Sequence, residues 1–174
     1  MPEATQEQVN HFAKKLGLLL VDNGMKFLES VFHLNPVSIT GGEVNIILNK
    51  YFSLPITHFD NKYNCIDWVT WQDLFVYDWV DTKIWILDYR DCDNFANAFS
   101  ANMSMFYEIN SVGRVYGKFY SGTTFAGYHY WNVIITSDKK IYFFEPSSDK
   151  WVKYEGGLLM IGGNKYEPIS FVFG

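Results

Sequence analysis

Residues 91–106 read DCDNFANAFSANMSMF, and the fold turns on how this stretch begins and on the pattern that succeeds it. Asp91 is a residue type that caps helices, because its carboxylate can accept from the free amides of the first turn. Phe95, Phe99, Met103 and Phe106 then recur at spacings of three and four and form one apolar stripe. Asn97, Ser100 and Ser104 take the polar face. A helix is therefore expected from Cys92 onward.

From Arg114 the period changes to two. Strands are expected over 115–120, 128–136, 141–145, 151–154, 158–161 and 169–173, separated by turns containing Gly, Ser and Asp. Upstream the pattern is helical. Val9, Phe12, Ala13, Leu16 and Leu20 share one face, and Met25, Phe27, Leu28, Val31 and Phe32 continue it until Pro36. A short amphipathic segment comes next over Val44–Tyr51, and Thr70 opens a helix reaching about Val80, with Asp73 three residues after its cap. Helices first and an antiparallel sheet afterwards predict an α+β fold. With 174 residues and no repeat or linker, a single domain is expected.

Bulk properties narrow the function. The chain is 48% hydrophobic and 19% aromatic, enough to build a core. A net charge of -5 and scattered lysines argue against nucleic acid, whose phosphates require clustered cations. No apolar run approaches the ~20 residues of a membrane span. The polar start MPEATQEQ is unlike a secretion signal, so a cytoplasmic location is the default expectation. Cys65 and Cys92 are too few for a disulfide framework or a metal set of the usual spacing.

Cys92 has the position that nucleophilic thiol chemistry needs. Helix-start amides and the positive end of the helix dipole favour an anion there. It precedes Phe95 and Phe99 by three and seven residues, so it should point toward the sheet. Of four histidines only His129 is expected on a strand of that sheet, in register with Trp131, Val133 and Ile135. Glu145 lies on the returning strand, on the face of Ile141 and Phe143. If the loop between the strands holds an odd number of residues, His129 and Glu145 become direct or diagonal neighbours, ~7–8 Å apart for a diagonal pair. The expected site is Cys92 as nucleophile, His129 as base and Glu145 as orienter of the imidazole. No glutamine stands near Cys92 to complete an oxyanion hole, so the indole of Trp85 and the Cys92 amide are the candidate donors.

The stretches YRDCDNFANAF, GYHYWNVII and IYFFEPSSD resemble the nucleophile helix, histidine strand and acid strand of papain-like and transglutaminase-like cysteine peptidases. The likeness is closest to the papain-like domain of a Marasmius agglutinin and related bacterial or phage proteins. It rests on DCDNF, on Trp85 seven residues before the cysteine, and on EP after the last core strand. The resemblance implies one papain-like domain over 1–174, with a helical extension at 1–60 and a catalytic core at 61–174. It also implies a cysteine hydrolase, a peptidase cleaving protein or peptide amides through a thioester. No cofactor would be required. Calcium is implied as an optional ion at Asp91 and Asp93, since related acidic-Cys-acidic families depend on it. Two alternatives stand beside the peptidase: a transglutaminase-like acyl transferase, and a catalytically silent domain of the same fold that binds peptide or glycan. Tyr128, Tyr130 and Trp131 would suit the cleft of the latter.

Overall fold

A computed structural model describes residues 34–174 other than 76, 77, 79, 88, 90, 156 and 157. The helices expected over residues 9–32 lie outside the described residues. In chain order the elements are β1 (Val37–Thr40), α1 (Gly41–Asn49), β2 (Ile56–His58), β3 (Lys62–Cys65), α2 (Trp68–Phe75), a 3-10 turn at Val80–Thr82, and α3 (Cys92–Tyr107). Six strands complete the chain: β4 (Val112–Ser121), β5 (Thr124–Ile135), β6 (Ile141–Glu145), β7 (Lys150–Glu155), β8 (Leu158–Ile161) and β9 (Asn164–Phe173).

The strands run β9-β4-β5-β6-β7-β8, each bonded to the next, and β8 pairs back onto β9. Six antiparallel strands thus close a barrel. This corrects the expected α+β papain-like layout of helices on an open antiparallel sheet: the described chain is dominated by a closed barrel, with a few helices against it. The closure depends on β9, which begins at Asn164 rather than at Ile169. Its first part pairs with β8 (Leu159 opposite Tyr166), while its last part takes β2 in parallel (Ile56 opposite Phe171). Pro168, lacking an N–H, makes this stretch read as two pieces in the sequence. The register against β4 shifts beside it, between Tyr116 and Gly117, and the strand passes through.

Two cores share the strands. Val115, Trp131, Val133, Ile135, Phe143, Leu159, Tyr166 and Phe171 pack with Val44, Ile47 and Leu48 of α1. On the other face, Val112, Ile134 and Phe144 pack with Phe95, Phe99 and Met103 of α3 and Trp71 and Leu74 of α2. The inner half of β5 is therefore buried on both sides, which is why residues 131–135 lose the apolar–polar alternation of a half-exposed strand. Asn132 sits among them fully buried, its Nδ2 donating to the Ala96 and Gly113 carbonyls. The α2 helix starts at Trp68, two residues before the expected Thr70. Asp67 is its cap, its carboxylate accepting from the Thr70 amide at 3.0 Å and hydroxyl at 2.7 Å.

Gly117 lies opposite His129, beside the register shift. A Cβ there would stand 2.3 Å from the Glu167 carbonyl oxygen and 2.5 Å from the Trp131 ring. Backbone cannot yield as a flexible side chain does, so Gly117→Ala is expected to cost about 2 kcal/mol or more. A urea midpoint within error of wild type would show that β9 moves aside freely.

Candidate functional site

Cys92 is the first residue of α3, and the extended Asp91 precedes it as N-cap. The Asp91 amide donates to Asn94 Oδ1 at 3.2 Å, which fixes the first turn. The thiol is free and half-buried. His129 sits on β5 with its ring among Phe119, Trp131 and Tyr166, at centroid distances of 5.5, 6.1 and 5.7 Å.

The loop between β5 and β6, residues 136–140, is odd in number, and Ile135 pairs with Ile141. That register carries His129 and Glu145 to one face as diagonal neighbours. His129 Nε2 and Glu145 Oε2 are 2.5 Å apart, with side chains 20% and 5% exposed. Burial works against a charged imidazole here. The hydrogen bonds to Cys92 and Glu145, and the charges of both, outweigh it and lift the His129 pKa to about 9. At neutral pH the site therefore holds an imidazolium between Cys92 and Glu145.

Glu145 is itself held from the other side. Ser147 Oγ donates to Oε1 at 2.7 Å, with the Ser147 amide at 3.4 Å. Burial pushes the Tyr166 phenol far up, and the charge of Glu145 and a hydrogen bond to it add to that. Ser147 was within reach of sequence reasoning, as a hydroxyl two residues beyond the acid. Tyr166 was not, because only the β8–β9 closure brings it there. Asn132 was also missed: its bonds to Ala96 in α3 and Gly113 in β4 set the height of α3 against the strand that carries His129.

The remaining expected residues lie at the edges. Trp85 is 52% exposed in an apolar stretch with Ile84, Ile86 and Leu87. No hydrogen bond or ring contact among the described residues joins it to Cys92 or His129. The Asp93 pKa is raised, chiefly by a hydrogen bond shared with Asp91, then by burial and by the charge of Asp91. Calcium takes six to eight oxygens. Among the described residues no group of three or more His, Cys, Asp or Glu side chains could hold a metal ion. Asp91 and Asp93 supply two carboxylates, part of such a shell. His58, expected in a loop, lies on β2 and bonds Asn45 and Tyr63.

Outside the barrel, alternate residues of the β4–β5 hairpin form a band of rings. Tyr116 stacks on Tyr128 at 5.4 Å and 19° and meets Tyr130 at 5.0 Å. Phe125 links Tyr128 to Tyr120, at 5.7 Å from each. Tyr128 is 60% exposed and Phe125 50%. Burial, Tyr116, and the charges of Asp93 and Cys92 raise the Tyr130 pKa, so the band ends beside the thiol.

The fold and site together define a closed β-barrel domain with a thiol–imidazole–carboxylate centre beside an aromatic surface. No family model and no curated protein matches the chain. Among solved structures it is similar to a PSL1a–E64 complex, at 18% identity and a TM-score of 0.59, over 78% of this chain and 50% of that one. It is likewise similar to Polyporus squamosus lectin bound to the human-type influenza-binding epitope Neu5Acα2-6Galβ1-4GlcNAc, at 18% identity and 0.60, over 78% and 49%. The chain spans about half the length of these neighbours, and identity this low establishes the fold alone. The likeness to a lectin overturns the expected membership of the papain-like cysteine peptidases. The assignment of the chain as a thiol protease falls with it, and neither neighbour supports the expected peptide substrate. No helix among the described residues is long and apolar enough to cross a membrane.

Proposed function

We propose that this chain is a carbohydrate-binding domain that holds sugar rings on the aromatic face of the β4–β5 hairpin. The observation that carries this reading is the band of Tyr116, Tyr120, Phe125, Tyr128 and Tyr130. Aromatic faces pack against the apolar C–H faces of sugars, and phenol edges supply hydrogen bonds to their hydroxyls. A contiguous exposed aromatic surface marks a binding site. The lectin neighbour, bound to a sialylated glycan, supports the ligand class.

Titration with Galβ1-4GlcNAc, monitored by residue-resolved NMR, tests it. Shifts are expected at Tyr128 and its neighbours, and Tyr128→Ala should weaken binding about tenfold, the loss expected when one stacking ring is removed. A hairpin that stays unperturbed at millimolar sugar overturns the reading.

For the thiol centre a second reading rests on the 2.5 Å His129–Glu145 contact and the hydrogen bond from Cys92 to the same ring. Cys92 is the nucleophile, His129 is the acid–base partner beside it, and Glu145 orients the imidazole. A ligand seated on the aromatic band would present its end to this sulfur. Covalent capture of an electrophile by Cys92 is the measure of that role.

A further inference from the structure

A second aromatic surface lies away from the hairpin and from Cys92. Trp68 at the start of α2 stacks face to face on Tyr142 of β6, at 3.8 Å and 12°. Trp151 of β7 meets Trp68 edge-on at 4.6 Å. Tyr51, just past α1, meets Tyr154 of β7 at 5.7 Å and 85°. With Lys153 these rings line an open cleft of about 470 Å³, within the range that takes a small ligand.

The cleft is polar in an unusual way. Its aromatic residues carry three phenol hydroxyls and two indole N–H groups, and among the described residues none of these makes a hydrogen bond. Tyr51 and Tyr154 stand at the rim, 44% and 40% exposed. The only charged residue among those lining the cleft is Lys153, in a chain of net charge -5. Among the described residues it has no ion-pair partner. Among the described residues that line the cleft there are ring faces, unengaged donors, one cation without an ion-pair partner and no carboxylate, a surface that complements a molecule with apolar faces, many acceptors and one negative charge.

We propose that this cleft binds an acidic saccharide, with ring faces against Trp151 and Tyr154, hydroxyls taking the phenol and indole donors, and the sugar carboxylate at Lys153. The site uses none of the hairpin residues, so it goes beyond sugar binding on the hairpin and stands or falls separately from it.

The test is titration of the whole chain with Neu5Acα2-6Galβ1-4GlcNAc and, in parallel, with its neutral core Galβ1-4GlcNAc, monitored through the indole N–H signals of Trp68 and Trp151. The acidic trisaccharide is expected to bind the cleft about fivefold more tightly, as befits one partly exposed charge-assisted contact. Lys153→Gln should erase that preference while leaving the fold intact. Tyr154→Ala, at an exposed rim position, should weaken both sugars, and Tyr128→Ala on the hairpin should leave the indole shifts unchanged. Indole signals that stay still at millimolar trisaccharide overturn the proposal. So does a preference for the acidic sugar that survives Lys153→Gln. Shifts at the hairpin without shifts at the indoles would keep the hairpin reading and remove this one, and the reverse pattern would do the opposite.

Discussion

Between about pH 6.5 and pH 9 the folded chain is expected to lose stability worth about 3 kcal/mol through a single residue, His129. Its folded pKa of about 9 stands above the 6.5 of an unfolded histidine. A group raised in this way stabilises the fold fully below its unfolded pKa. The contribution declines as pH rises between the two values and is gone above the higher one. With its side chain only 20% exposed, the ring is little screened by solvent. Glu145 contributes through both a hydrogen bond and its charge, so Glu145→Gln should bring the titration back toward the ordinary range and flatten the profile. The variant should also be less stable than wild type at pH 6, because an imidazolium is left buried with a neutral partner. Urea midpoints at pH 6, 7.5 and 9, taken as the difference between wild type and variant, cancel the contributions of the other histidines. Parallel profiles for the two proteins would mean that the ion pair contributes no linkage.

The second large effect is the contrast between the two cysteines. The epoxide E64 and iodoacetamide are electrophiles that alkylate thiolates. Cys65 is fully buried, and burial pushes its thiol up to about 11. At pH 7 its reactive fraction is on the order of 10⁻⁴ before access is counted. Cys92 is half-buried at a helix start, with the imidazolium of His129 beside it. Positive charge next to a sulfur is the setting in which cysteines react fastest. Mass spectrometry after incubation with E64 or iodoacetamide should therefore find Cys92 modified at least about 10³-fold faster than Cys65. His129→Ala should slow Cys92 about 10²-fold, the usual scale for loss of a positioned base. Equal rates at the two cysteines, or a Cys92 no faster than a small free thiol, would leave it as a packing residue.

Much of the site could be read from local chemistry. The helix start at Cys92 comes from Asp91 and the phenylalanine stripe behind it. The diagonal placement of His129 and Glu145 comes from strand alternation and an odd loop, because a period of two leaves only two outcomes. The fold to which these pieces belong was misread. The motifs DCDNF and GYHYWNVII describe how a helix meets a strand, and they say little about whether the sheet beyond them opens or closes.

That question lay with β9. KYEPISFVF has a proline at its centre, and a proline inside a strand reads as its end. The strand continues because Gly117 opposite it has no side chain, so that the register can slip beside Pro168. From the same continuation come the barrel, the Tyr166 hydroxyl on Glu145 and the burial of His129. Sequence by itself determined the local elements and the faces their residues share, since those depend on neighbours a few positions away. Barrel closure, the groups that hold Glu145 from behind and the aromatic cleft between α2, β6 and β7 were decided only in the tertiary structure. Each of them joins residues far apart in the chain, whose proximity no local period records.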